Sequence, residues 1–133
     1  MLEGRLNKKR GHFTVDICFK CNSGELLALT GPSGSGKSSV VHAGLLTAIR
    51  RGRLAGSESW FVTTMVPGSH PFEALESALL RIAVDPPPTL RQQLCDGPRG
   101  MLRAIRRCLT SETDHVLLVV DQLEELFTTT TAE

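Results

Sequence analysis

The chain has 133 residues, which makes one domain or part of a larger one, and its 41% hydrophobic and 22% charged content excludes disordered and fibrous classes. A net charge of +1 removes the simplest case for a nucleic-acid binder, which carries a basic excess. No apolar run approaches the roughly 18 residues that span a membrane and no signal peptide opens the chain, so a cytoplasmic protein is expected.

The opening "MLEGRLNKKR" is charged, with no apolar core behind it. "HFTVDICFK" then alternates, with Phe13, Val15, Ile17 and Phe19 on one face and Thr14, Asp16, Cys18 and Lys20 on the other. That pattern predicts a half-buried antiparallel strand, and residues 1–24 form an antiparallel arm or hairpin. Cys18 and Cys21 make a C-x-x-C, but at opposite parities of a strand they face opposite sides. Cys95 and Cys108 are too far apart to make a second knuckle, so the four read as free thiols rather than a metal site.

"NSGE" is a turn signal, and "LLALT" (residues 26–30) is apolar on both faces, as a buried parallel strand is. A glycine-rich loop follows. From Ser38 the spacing of Val41, Leu45, Ala48 and Ile49 predicts a helix, which ends by Gly52. "WFVTTMV" (60–66) is a second buried strand, "PGSHP" breaks it, and "FEALESALLRIA" is a helix with Phe72, Leu75, Leu79 and Ile82 as its stripe. "DPPP" marks a loop. "RGMLRAIRRCL" sets Leu102, Ile105 and Leu109 on one helix face and Arg99, Arg103, Arg106 and Arg107 largely on the other, a solvated face before a phosphate-binding one. "HVLLVV" gives a third buried strand, Val116 to Val120, which ends on Asp121. Strands alternating with helices imply a parallel α/β sheet.

Gly31, Pro32, Ser33, Gly34, Ser35, Gly36, Lys37 and Ser38 fit G-x-x-x-x-G-K-[ST] at each fixed position, after a predicted strand and before a predicted helix. Glycines let backbone N–H groups converge on phosphate oxygens, and the helix directs its positive end to the same place. Lys37 is expected to reach the β- and γ-phosphates and Ser38 to ligate Mg²⁺, with Ser39 beside it in the binding loop. Asp121, at the carboxyl end of a buried strand, is the expected second anchor of Mg²⁺, the Walker B acid. Gln122 can orient water but has no useful basicity. Glu124 and Glu125 return near Asp121 if a helical turn begins there, and with Lys37 they are the candidates for catalysis. The histidines, His12, His42, His70 and His115, lack metal spacing, and His42 is expected to be a packed helix residue.

From Gly31 onward the chain resembles the STAND class of P-loop ATPases, in the branch often joined to β-propeller repeats. The resemblance rests on "GPSGSGKSSVVHAGLLTAIRRGRLAGSESW", "VPGSHPFEALESALL" and "HVLLVVDQLEELFT", with Val66 standing where an arginine is expected. It implies a Mg²⁺-dependent ATPase acting as a regulatory switch, with the family's acidic pair on Glu124 and Glu125. Residues 2–38, "LEGRLNKKRGHFTVDICFKCNSGELLALTGPSGSGKSS", instead resemble the start of an ATP-binding cassette of oxyanion importers. Past Ser38 that likeness fails: no L-S-G-G-Q precedes Asp121, and Gln122 replaces the glutamate expected next.

Both families imply a three-layer P-loop NTPase fold. The sheet they share places a later strand between the loop strand and the Walker B strand, which leaves a gap beside residues 26–30. The chain thus reads as the N-terminal part of such a domain, with an arm at 1–24 and a nucleotide core at 25–133 cut after Walker B. The expectations are a regulatory ATPase switch, a transporter motor with a membrane partner, or a non-catalytic nucleotide-binding fragment. ATP and Mg²⁺ are the implied cofactors, with GTP still open. Protein partners or self-assembly would act through regions beyond this sequence, and no nucleic acid is indicated.

Overall fold

A computed structural model describes residues 2–22, 24–25, 27–28, 34–54, 56–111 and 113–128. The chain divides into two compact units, Met1–Ser59 and Trp60–Glu133. Together they make an α/β protein with an antiparallel hairpin in the first unit and a parallel sheet in the second.

In the first unit, β1 (Leu2–Arg10) pairs with β2 (Phe13–Cys21) in antiparallel register, Leu2 opposite Cys21 and Arg10 opposite Phe13. The two-residue turn is Gly11-His12, and Gly11 takes φ 60, a conformation that costs glycine little. Arg5 reaches diagonally across the ladder to Asp16 through two bonds, 2.8 and 2.5 Å. That guanidinium holds the Asp16 carboxyl below the usual carboxylate range. The side chains of Phe13, Val15 and Ile17 lie outside those described; Phe19, on the same predicted face, is half-buried. The predicted turn at 22–25 is closed by Glu25, whose carboxylate accepts both the backbone and side-chain N–H groups of Asn22.

The predicted buried strand at 26–30 is corrected where it is described. Leu27 and Ala28 are exposed and belong to no strand, with Leu27 at 52%. Leu26, Leu29 and Thr30 lie outside the described residues. A parallel strand exists only through ladder bonds to its neighbours.

The helix predicted from Ser38 runs as α1 (Lys37–Ser39), a π-helical segment (Val40–Leu45) and α2 (Leu46–Arg50). The Leu46 N–H donates to the Val41 carbonyl, five residues back. Buried here are Gly44, Leu46 and Ile49, so of the expected stripe only Ile49 is fully covered. The wide turn moves Leu46 into the place that regular helical spacing assigns to Leu45.

In the second unit, β3 (Phe61–Met65) and β4 (Val116–Val120) pair in parallel, Phe61 opposite Val116 and Met65 opposite Val120. Between them come α3 (Pro71–Leu80), α4 (Leu90–Leu94) and α5 (Gly100–Cys108). The core is Met65, Leu75, Ala78, Leu79, Leu90, Leu94, Ala104 and Cys108. Burying a leucine such as Leu79 or Leu90 contributes about 1.5–3 kcal/mol. Polar ties add to this: the buried Thr63 hydroxyl donates to the Ala78 carbonyl at 2.8 Å, and Arg81 donates to the Thr64 carbonyl at 2.7 Å. Both fasten α3 to β3.

Two predicted helix faces are corrected. Phe72, in the first turn of α3, is exposed, while Ala78 is buried beside Leu75 and Leu79. On α5 the covered face is Gly100, Ala104 and Cys108, at spacings of four, whereas Leu102 is half exposed and Ile105 and Leu109 are only partly buried. Small residues admit close backbone approach, and α5 uses it to lie against the end of α4. Arg99, Arg103, Arg106 and Arg107 are exposed as expected, with Arg103 paired to Asp96.

Candidate functional site

In the first unit the phosphate-loop sequence is described from Gly34 on; Gly31, Pro32 and Ser33 lie outside the described residues. Gly34 and Gly36 both take the left-handed conformation, φ 77 and 82. A Cβ on Gly34 would meet nothing within 4 Å, so glycine there serves the backbone conformation rather than space. Gly36 is the N-cap: its carbonyl accepts the Val40 N–H at 2.9 Å, Lys37 is the first helical residue, and no side chain caps the end. A helix start directs its first N–H groups outward along the axis, which suits an anion. Lys37 is half-buried, and Ser35, Ser38 and Ser39 are exposed. His42, expected to be packed, is exposed on the π-helical segment, and its carbonyl accepts the Thr47 hydroxyl at 3.3 Å.

In the second unit the candidate acids lie at the carboxyl edge of the β3–β4 sheet. The Asp121 N–H donates to the Met65 carbonyl at 2.9 Å, extending the ladder one step past Val120. Asp121 is half-buried, and its Oδ1 accepts the N–H of Gln122 at 2.9 Å. Gln122 has φ 55, the one non-glycine residue with positive φ among those described. This left-handed residue reverses the chain into α6 (Glu125–Thr128), and the Gln122 carbonyl accepts the Glu125 N–H at 2.9 Å.

A short helix does follow Asp121, but it begins only at Glu125, so Asp121, Gln122 and Glu124 precede it. The two acids then differ. Glu124 is exposed, whereas Glu125 is half-buried and its Oε2 accepts the Gly68 N–H at 3.0 Å. Gly68, at φ 60, belongs to the loop after β3. In the sequence "PGSHP" reads as a strand breaker and as part of the STAND-like "VPGSHPFEALESALL", with no role assigned to Gly68. A glycine between two prolines at a strand's carboxyl end was the available signal.

The donor set suits the implied groups. In the first unit, backbone N–H groups and Lys37 are of the kind that phosphate oxygens accept from, and the Ser38 hydroxyl is a hard oxygen donor. In the second unit, taken by itself, the Asp121 carboxylate is another donor of the type Mg²⁺ takes. The four thiols are free: Cys18 and Cys95 exposed, Cys21 half-buried, Cys108 buried. No helix among the described residues is long and apolar enough to cross a membrane.

The family model for novel STAND NTPase 1 matches residues 9–133. The chain belongs to that family. It is thus a STAND-type NTPase by descent, and nucleotide binding is a property of the family. Over 47 residues it is also 57% identical to the sulfate/thiosulfate import ATP-binding protein CysA of Nitrosomonas europaea. That match covers 32% of this STAND chain and 13% of the importer protein, so the chain spans a small part of that relative's length. No solved structure matches the chain.

Proposed function

We propose that the chain is the nucleotide-binding part of a Mg²⁺-dependent ATPase that works as a STAND-type regulatory switch. One observation carries the reading: two left-handed glycines, Gly34 and Gly36, deliver the chain into an uncapped helix whose first residue is Lys37. In this reading residues 31–39 bind the nucleotide phosphates, and Lys37 compensates charge on the β- and γ-phosphates. Ser38 and Asp121 hold Mg²⁺, which supplies charge neutralisation when bound. Glu124 is the residue set to orient or deprotonate water. Residues 1–24 form the arm and 25–133 the nucleotide core, and the switch is read out through protein partners or self-assembly. The compartment is the cytoplasm.

Lys37→Ala tests the reading. It should abolish binding of a fluorescent ATP analogue in the presence of Mg²⁺ while the far-ultraviolet circular dichroism stays unchanged. Unaltered affinity would remove the phosphate-loop assignment.

The 57% identity to an importer ATP-binding protein favours a second reading, a transporter motor subunit. In a cassette motor the residue after the Walker B acid is the base. Gln122→Glu should then raise hydrolysis, whereas under the switch reading a third carboxylate beside Glu124 and Glu125 leaves turnover flat or lower. Nucleotide binding without hydrolysis in every variant would leave the fragment as a binding module.

A further inference from the structure

We propose that Glu125 is a positioning residue whose carboxylate fixes the loop after β3, leaving Glu124 as the acid of the pair that faces a reacting water. The geometry begins at the last rung of the sheet, where Asp121 N–H meets the Met65 carbonyl. One step further on the β3 side, the buried Pro67 has no N–H to offer, so the ladder cannot continue. Gly68 then turns through φ 60 and presents its N–H to Glu125 Oε2. On the β4 side the left-handed Gln122 starts the reversal that brings Glu125 back across the same edge.

The carboxylate thus replaces the missing rung with a charge-assisted bond between residues 57 apart in sequence. It joins the carboxyl-end loops of two neighbouring parallel strands, the region where ligands of open α/β sheets bind. Ser69 and His70, exposed and next in the chain, lead from Gly68 into α3. Glu124 has no such task for its side chain among the described bonds: its carbonyl alone accepts, from Phe127 N–H at 3.0 Å and the Thr128 hydroxyl at 3.3 Å. The link through Glu125 stands on geometry, and only the role left to Glu124 rests on the hydrolytic reading above.

The test compares Glu125→Gln, which keeps an oxygen acceptor without the charge, with Glu125→Ala and Glu124→Gln. The first readout is amide hydrogen exchange at Gly68 in the full chain by nuclear magnetic resonance, with Trp60 fluorescence reporting that each variant is folded. Glu125→Ala should speed Gly68 exchange about tenfold, the equivalent of losing one charge-assisted bond of about 1.4 kcal/mol. Glu125→Gln and Glu124→Gln should stay within about threefold of the parent. Unchanged Gly68 exchange in Glu125→Ala overturns the link, as does equal acceleration in Glu124→Gln. If Glu125→Ala does not fold, Glu125→Gln decides through the second readout, steady-state Mg-ATP hydrolysis. Glu125→Gln should raise KM and spare kcat, and Glu124→Gln should lower kcat. A kcat lost in Glu125→Gln and kept in Glu124→Gln overturns the division of roles. If the parent shows no hydrolysis, the hydrolytic reading fails and Gly68 exchange alone decides the link, read in Glu125→Met (similar in length, with no acceptor oxygen) should Glu125→Ala not fold, an unchanged rate sinking it.

Discussion

Gly100→Ala isolates the contact on which the second unit's helical layer depends. A Cβ on Gly100 would lie 2.2 Å from the Gln93 carbonyl oxygen and 2.9 Å from that of Leu94. Non-bonded carbon atoms settle at roughly 3.5–4 Å, so the end of α4 would have to retreat by about an ångström. The obstacles are backbone atoms, which cannot swing aside as a side chain does. The Gln93 carbonyl also accepts the Asp96 N–H at 3.2 Å, and that bond is strained by any retreat. Overpacking of this kind costs about 1–3 kcal/mol and a weakened hydrogen bond about 1 kcal/mol, while alanine's helix propensity returns at most about 1 kcal/mol. The net loss is about 1–3 kcal/mol, or roughly 5–20 °C in melting temperature for a unit of this size. Trp60 is the chain's single tryptophan, packed edge-on against His115 at 5.6 Å, so its fluorescence follows this unit. Gly97→Ala is the control: with φ 71 and nothing within 4 Å of an added Cβ, it bears only the left-handed penalty of about 1–2 kcal/mol. A Gly100→Ala melting curve superimposed on the parent's would refute the close α4–α5 packing.

Gln122→Gly should stabilise the second unit by about 0.5–1 kcal/mol, since it relieves a left-handed side-chain residue and gives back part of the gain as chain entropy; a drop in urea midpoint would show the turn to be unstrained. Burial pushes the Cys108 thiol up from its ordinary value. The folded form therefore holds its proton while the unfolded form loses it, so stability is intact below the ordinary thiol pKa and falls as pH rises above it. At pH 8 a thiol reagent should label Cys18 and Cys95 at once and Cys108 only after denaturation; prompt labelling of Cys108 would contradict the packing of α5. The hydrogen bond from Arg91, 2.7 Å, holds the Glu73 carboxyl below the usual range. Its contribution is present above the ordinary carboxylate pKa and is lost as pH falls through the lowered one. Arg91→Met should accordingly flatten the decline of the second unit's melting temperature in acid, and an identical slope would exclude the pair.

Much of this architecture is legible in the residues, for reasons that also explain what is not. β3 and β4 announce themselves because runs of β-branched residues are bounded by breakers, Pro67 on one side and Asp121 on the other. The helix after the phosphate loop is equally plain, since the glycines mark its start. The stripe of Leu102, Ile105 and Leu109 outweighs Gly100, Ala104 and Cys108 in hydropathy, although backbone proximity rewards the small residues, so the covered face of α5 is not legible from hydropathy. β1 carries no apolar alternation, so only its pairing with β2 makes it a strand. The run at 26–30 has the composition of a buried strand and lacks, at Leu27 and Ala28, the neighbours that would bury it. In the candidate site the loop glycines, Lys37, Ser38 and Asp121 follow from motif and position. The difference between Glu124 and Glu125 does not, because it depends on a backbone N–H fifty-seven residues away.

The π-helical segment at Val40–Leu45 sets an angular phase between the two ends of one helix. A bond to the fifth residue back carries one residue more per closure than an α-turn, so everything beyond it is rotated by about 100° relative to an unbroken α-helix. The end at Lys37 answers to the phosphate loop, while the end with Leu46 and Ile49, 3% and 2% exposed, answers to packing within its unit. Removing one residue between 40 and 45 would restore even winding and swing Leu46 and Ile49 away from the covered side, with Gly36 and Lys37 left where they are. Helix length is therefore a discrete variable at this point in the chain, and a single-residue deletion there would uncouple the loop from the body that supports it without altering one loop residue.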